Sequence, residues 1–204
     1  MVPNIVTALD TSPMISIEDC RKHLRVTADG SPAFHEDDDL ILGLLSAARE
    51  FVEGYTGLAL TPRTLEIYLD KFPLDEISLP VAPLVSMTSV KYLDENNVLQ
   101  TVAGTEYAID NFQRPGWLLP AMGASWPSTL EVVNAVVIRY AVGYSHRLDN
   151  PQSLPLPKVL RVAALLLLGH LYENREQSTE ASLREIPLGI QSLCDMVKIR
   201  KGMA

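Results

Sequence analysis

Hydrophobic positions follow a helical period at both ends of the chain and an alternating period in the middle. The clearest helical stripe covers residues 40–55, where apolar side chains recur every three to four positions. Its members are Leu40, Ile41, Leu44, Leu45, Ala48, Phe51, Val52 and Tyr55. Gly57 follows as a typical helix stop, because glycine readily adopts the left-handed backbone that ends a helix. We therefore predict a helix that ends just before Gly57.

A shorter helix is predicted near the start of the chain. Ser16 and Asp19 have the spacing of a capping box, in which the hydroxyl accepts from a free amide and the carboxylate favours the helix start. Ile17, Cys20 and Leu24 then share one face, and we expect the helix to end near Arg25. Residues 1–14 carry no comparable signal.

The C-terminal third predicts two more helices. The proline-rich stretch 150–157 leads into a helix from Lys158 to about Arg175, and residues 162–168 are apolar on all sides, which indicates burial on more than one face. Residues 175–185 are polar and predict a loop. Pro187 begins a last helix, whose inward positions are Leu188, Ile190, Leu193, Cys194 and Val197, and the basic Lys198, Arg200 and Lys201 suit its C-terminal end.

Between Thr61 and Tyr144 apolar and polar residues alternate, as in half-buried strands. Residues 94–97 predict a hairpin turn, since acids and asparagines favour tight turns. The predicted strands lie at 65–69, 77–79, 85–93, 98–102, 107–110, 117–119 and 132–142. This region therefore predicts an antiparallel β module.

Together these patterns predict an α+β fold, in which a small helical bundle is formed by the N- and C-terminal segments and an antiparallel β module is inserted between them. The expected division is an N-terminal arm at 1–14, a helical core at 15–60 and 151–204, and the β module at 61–150.

Composition narrows the class of protein. The 204 residues carry a formal net charge of −8, which argues against a protein that grips nucleic acid through its phosphates. It is compatible with a protein that DNA passes without being held. The most apolar stretch, 162–168, is far shorter than a membrane span, and no secretory signal is visible, so we expect a soluble protein of a reducing cytoplasm.

Candidate chemical groups are few. Cys20 and Cys194 occupy apolar helix positions and are expected to be buried free thiols rather than a disulfide or metal pair. The acid run 36–39 suits a helix start better than a cation site. His170 and Glu173 lie one helical turn apart, but no third metal ligand is apparent, and a polar pair beside Tyr172 is the simpler interpretation. His23, His35 and His146 are isolated. No catalytic, cofactor-binding or metal-binding residue is assigned.

Trp117 and Trp126 lie in a stretch rich in turn residues, 113–128. Two interpretations stay open with equal weight: an exposed aromatic contact surface for a partner, or a cover for the open end of the β module. Short strands with uncovered edges and the apolar run 162–168 both favour assembly, since a ring subunit contacts its neighbours through two different patches.

An ordered series of segments resembles the phage head–tail connector family, in its larger form with a β insertion. The segments extend over residues 15–200 and are fairly specific as a set. They are ISIEDCRKHLR at 15–25, DD at 38–39, AAREFVE at 47–53, YTG at 55–57, FP at 72–73, LP at 79–80, PLVS at 83–86, YAID at 107–110, WP at 126–127, YAVGY at 140–144 and GHLYENRE at 169–176.

The resemblance implies a non-enzymatic structural subunit without cofactor or catalytic residues. Such proteins form rings, commonly of twelve copies, beneath the portal protein, extend the DNA channel, and support a stopper or tail-completion protein. The implied location is the neck of a virion made in the cytoplasm of a bacterial host. Residues 1–14 match nothing in the family, and are expected to be an arm towards a neighbouring subunit or an unstructured segment.

Two alternatives remain at this point. The chain could be a stopper or tail-completion protein of the same particle, although its helical ends argue against the mostly β structure expected there. It could also be a small hydrolase using His170 and Glu173, which the absence of any catalytic template disfavours.

Overall fold

The computed structural model describes residues 3–8, 13–26, 35–145, 154–174 and 187–199, which form two compact units. The helical unit comprises the described residues among 12–60 and 145–198. The β unit comprises those among 1–11, 61–144 and 199–204. The fold is α+β, with antiparallel sheets inserted between helical ends, and this confirms the predicted class.

The described part of the helical unit contains α1 (Ile17–Leu24), α2 (Asp38–Thr56), α3 (Lys158–Glu173) and α4 (Leu188–Asp195). The Ser16 hydroxyl accepts from the Asp19 amide and caps α1, as the spacing predicted. Gly57 ends α2 with a left-handed backbone. Helices α2 and α3 pack against each other, and each also packs against α1 and α4, so these two helices form the centre of the unit.

The β unit contains β1 (Asn4–Ala8), β2 (Arg63–Leu69), β3 (Ile77–Leu79), β4 (Leu84–Leu93), β5 (Leu99–Thr101), β6 (Tyr107–Asp110), β7 (Gly116–Pro120) and β8 (Val136–Val142). A five-stranded sheet has the order β1-β2-β8-β4-β5, and a three-stranded sheet has the order β3-β7-β6. All strand pairs in both sheets are antiparallel.

Side chains of alternate residues in the central strand β8 supply the core of the β unit. Val136, Ile138, Tyr140 and Val142 are buried, while the residues between them are half-buried. Gly143 directly follows and has φ of 113°; a Cβ there would lie 2.2 Å from the Thr61 carbonyl oxygen. Only glycine fits this close approach of two backbone segments.

Two strand predictions need correction. The predicted strand 132–142 begins only at Val136, because Asn134 has φ of 59°, a left-handed backbone that interrupts extended structure and leaves Val132 and Val133 exposed. Strand β1 was not predicted: residues 1–14 were expected to be an arm or unstructured, but Asn4–Ala8 pair with β2 of the same chain. Residues 27–34, 146–153, 175–186 and 200–204 lie outside the described residues. They include His146, the predicted loop at 175–185, the first half of the proline-rich linker, Arg200 and Lys201.

Candidate functional site

His170 and Glu173 lie at the C-terminal end of α3. In the last turn of α3, the Asn174 side-chain amide donates to the His170 carbonyl at 2.7 Å and lies 3.3 Å from His170 Nδ1. Glu173 is exposed. The contacts of His170 are thus those of a helix end, and the interpretation of His170 and Glu173 as a polar pair beside Tyr172 stays a prediction.

Two members of the acid run at 36–39 contact other helices. Asp38 is buried and pairs with the Arg21 guanidinium of α1, whose Nε donates to Asp38 Oδ1 at 2.7 Å. The hydrogen bond from Arg21 holds the pKa of Asp38 below its usual value, while burial acts in the opposite direction. Asp37 accepts a 2.5 Å hydrogen bond from the Tyr172 hydroxyl of α3. The run thus connects α2 to both α1 and α3.

Two further polar contacts connect distant parts of the helical unit. Arg161 of α3 pairs with Asp19 of α1 at 2.6 Å. The Tyr55 hydroxyl of α2 donates to Asp195 of α4 at 2.8 Å, which raises the pKa of Tyr55. These pairs were not predicted, because sequence spacing does not indicate which charged side chains meet.

The two cysteines are free thiols and both are buried, as predicted. Burial raises the pKa of the Cys20 thiol to about 11, so the thiol stays protonated at neutral pH. Within the described residues, no three His, Cys, Asp or Glu side chains lie close enough to hold a metal ion. The thiols contribute packing rather than reactivity.

Trp126 packs within its own unit. Its ring stacks on Phe72 with centroids 4.6 Å apart, and Phe72 meets Tyr92 edge-on. The stack borders a groove of about 590 Å³. Trp117 lies on β7, opposite Ser78 of β3 and Asp110 of β6. Since both tryptophans are only half-buried, the structure leaves both interpretations of them open.

A polar pair crosses the five-stranded sheet. Glu66 of β2 faces Arg139 of β8, whose Nε donates to it at 2.6 Å, and the Tyr68 hydroxyl donates to the same carboxylate at 2.7 Å. The hydrogen bond from Tyr68, followed by that from Arg139, lowers the pKa of Glu66 against the effect of burial. This arrangement satisfies a buried carboxylate and leaves no acid or base poised for chemistry.

Uncovered apolar side chains are the feature of the helical unit that its own packing does not explain. In the apolar run of α3, residues 163–165 and 167–168 are buried, but Val162 and Leu166 are 45% and 42% exposed. These two positions are one turn apart on the same face. Leu40 and Leu42 are also exposed near the start of α2. Such a surface is typical of a protein that associates with others.

None of the helices in the described parts of the chain is long and apolar enough to cross a membrane.

Comparison with known proteins gives a consistent result. Residues 14–110 match the family described as phage gp6-like head-tail connector protein. A search of curated protein sequences found no significant match. Solved structures similar over the whole chain come from gene transfer agent (GTA) particles. A chain in the structure of the neck of an empty GTA particle, computed with C6 symmetry, has a TM-score of 0.77 and 25% identity, covering 100% of this chain and 99% of that one.

Two related structures agree. A chain from the virion of a native gene transfer agent particle has a TM-score of 0.75 and 26% identity, again covering 100% of this chain and 99% of the other. A chain in the neck of the native particle, computed with C12 symmetry, has a TM-score of 0.72 over the same coverage, and at 24% identity it supports the fold alone.

Proposed function

From the match of residues 14–110 to the phage gp6-like head–tail connector family, we propose that this chain is a member of that family and the ring adaptor in the neck of a phage-like particle. The family is structural and not enzymatic. The protein is a neck component, and its ring, we propose, lies between the portal and the stopper or tail-completion protein and extends the DNA channel. Twelve subunits is the expected number.

The observation that carries this proposal is the full-length likeness to neck chains of gene transfer agents. The match extends across both the helical and the β unit, beyond the residues that the family comparison covers. The similar neck structures were computed with sixfold and twelvefold symmetry, which supports a cyclic arrangement of copies.

Charge is consistent with a channel component. A net charge of −8 repels phosphates on average, so DNA would move past such a protein without strong retention. The acidic residues with structural roles, Asp38 and Glu66, are neutralised by arginines and do not add to that repulsion.

The stopper or tail-completion alternative predicts a different order of binding. An adaptor binds the portal directly, whereas a stopper would need the adaptor to be present first. The helical unit, with α3 packed against the other three helices, favours the adaptor. The hydrolase alternative has no support from His170 or Glu173.

The test is to mix the purified protein with isolated portal rings of the same particle and to sediment them through a density gradient. We expect the protein to sediment with the portal and to show a ring of added density by negative-stain electron microscopy. A protein that stays at the top of the gradient as a monomer would contradict the adaptor role.

A further inference from the structure

Two exposed faces of the helical unit differ in character and match one another. The α3 face consists of Val162 and Leu166, preceded one turn earlier by the exposed Lys158. The α2 face consists of Gly43 and Ala47 with Glu50 and Gly54, all exposed and spaced at i, i+4, i+7 and i+11, hence on one side of the helix. One face projects bulky side chains, and the other is nearly flat.

Nothing in the described part of the chain explains the glycines of the α2 face. A Cβ on Gly43 or Gly54 would meet no atom of the described residues within 4 Å, so no close approach of their backbone requires glycine there. Both residues have ordinary right-handed helical placement inside α2 and no positive φ. Glycine is also the least favourable residue after proline in a helix interior. A flat helix surface instead suits close contact with another helix.

The α3 face has the complementary property. Val162 and Leu166 are exposed on a helix whose residues 163–165 and 167–168 are buried and which packs against α1, α2 and α4. Their spacing of four residues equals that of Gly43 and Ala47. The ridge formed by one pair can therefore fit over the small side chains of the other, as ridges fit into grooves in helix packing.

Charge adds to the match. The exposed Asp39 precedes Gly43 by one turn, and the exposed Glu50 follows Ala47 by three residues. When Val162 and Leu166 lie over Gly43 and Ala47, one of these carboxylates is near the Lys158 ammonium whichever way the two helices run. The α2 face also lies opposite the buried row Ile41, Leu45, Ala48 and Val52, so it is turned away from the core of its own unit.

We propose that the α3 face of one subunit packs on the α2 face of the next subunit in the ring. This inference rests on the proposed ring function and deepens it by naming the contact. Because the two faces belong to different helices, each subunit can use both at once, which is the heterologous contact that a closed ring requires. The occupant of each face is a second copy of this chain.

The first test is Gly43→Leu. Since a Cβ at position 43 would meet no atom of the described residues within 4 Å and leucine is the better helix former, the subunit should fold with an unchanged melting temperature or one raised by roughly 2–4 °C. Self-association, measured by sedimentation velocity over a concentration series with and without portal rings, should weaken by about tenfold or more, because the added side chain overfills the contact.

The matched control is Gly189→Leu. Gly189 is an exposed glycine of α4 with no atom within 4 Å of its Cβ position, so the same change there should leave assembly as in the unmodified protein. Unweakened assembly of Gly43→Leu, or equal weakening of both variants, would overturn the proposed contact.

The second test is cysteine cross-linking of assembled rings. Ala47→Cys combined with Leu166→Cys, or with Val162→Cys if the helices are antiparallel, should give a ladder of covalent multimers on oxidation, while Ala47→Cys with the exposed Glu18→Cys should not. The native thiols are buried and should stay unlinked. Rings without a ladder from either pair would overturn the contact and leave the ring function intact. An unmodified protein that neither self-associates nor binds portal would refute the ring function itself.

Discussion

The helical unit and the β unit are stabilised in different ways. In the β unit the register is set by continuous backbone ladders, for example from Arg63–Val142 to Leu69–Val136 between β2 and β8. In the helical unit, helices from both ends of the chain must meet, and side-chain pairs join them across 140 or so residues: Asp19 with Arg161, Asp37 with Tyr172, and Tyr55 with Asp195. Packed helices can shift along one another, whereas paired strands cannot shift without breaking their backbone hydrogen bonds. The relative positions of the helices therefore depend more on individual polar contacts.

Both tryptophans of the chain, Trp117 and Trp126, lie in the β unit, which makes the two units separately observable. Tryptophan fluorescence reports on the β unit, and circular dichroism at 222 nm reports mainly on the helices. We expect substitutions to act first on the probe of their own unit.

Paired core truncations should have the largest effect. Leu168→Ala in α3 and Ile138→Ala in β8 each remove a fully buried side chain, and each should cost about 3 kcal/mol of unfolding free energy through lost burial and a cavity. Urea unfolding should show the loss of Leu168 mainly by circular dichroism and that of Ile138 mainly by fluorescence. Identical shifts of both probes in both variants would show that the units unfold as one.

Gly143→Ala should damage the β unit alone. The new methyl group would clash with the Thr61 carbonyl, so we expect a loss of roughly 2–3 kcal/mol or more in the fluorescence transition. Gly123→Ala is the matched control: its φ of 80° is also positive, but its Cβ position is open, and it should cost about 1 kcal/mol. Equal effects would refute the role given to the close approach at Thr61.

Acid should weaken the helical unit through Asp38. The folded-state pKa of Asp38 is lowered, so its contribution is present above the unfolded pKa of about 4 and is lost as pH falls below that value towards the folded pKa. Asp38→Asn should reduce the stability of the helical unit at pH 7. It should also flatten the pH dependence of the unfolding midpoint, followed by circular dichroism, between about pH 5 and about pH 3, the range that brackets the unfolded pKa of aspartate. If the unfolding midpoint of the variant keeps the same pH dependence, the acid sensitivity belongs to other groups, such as Glu66 in the β unit.

Ser16→Ala should have the smallest effect. It removes the hydroxyl that accepts from the Asp19 amide and should cost about 1 kcal/mol, seen only by circular dichroism. Ser16→Thr, which keeps an acceptor, should retain most of the stability. If Ser16→Ala has the same unfolding free energy as the unmodified protein, this cap is dispensable.

Periodicity predicted the elements that bury one face, because such burial leaves a repeating pattern of apolar residues within a short stretch of sequence. Helices α2 and α3 and strands β2, β4 and β8 lie where the pattern put them, within a few residues. Strand β1 was missed because its partner β2 is about 60 residues away, so no turn between neighbouring strands marks their pairing. The start of β8 was misplaced because the left-handed backbone at Asn134 leaves no mark on hydropathy.

The candidate surfaces were predictable only in part. The apolar run of α3 was recognised, but which of its members stay exposed depends on how α1, α2 and α4 surround it. The flat face of α2 left no signal in the hydrophobic stripe, because its glycines lie on the opposite side of the helix. Contacts between residues distant in sequence, such as Asp37 with Tyr172, cannot be derived from spacing alone.

The central claim is that copies of this chain form a closed ring on the portal. Cryo-electron microscopy of the protein bound to isolated portal rings, with symmetry left unimposed, tests it most directly. The account predicts a closed ring of twelve copies around an open channel, with each α3 against the α2 of its neighbour. Single copies scattered on the portal, or a protein that binds it only after another neck component, would contradict it.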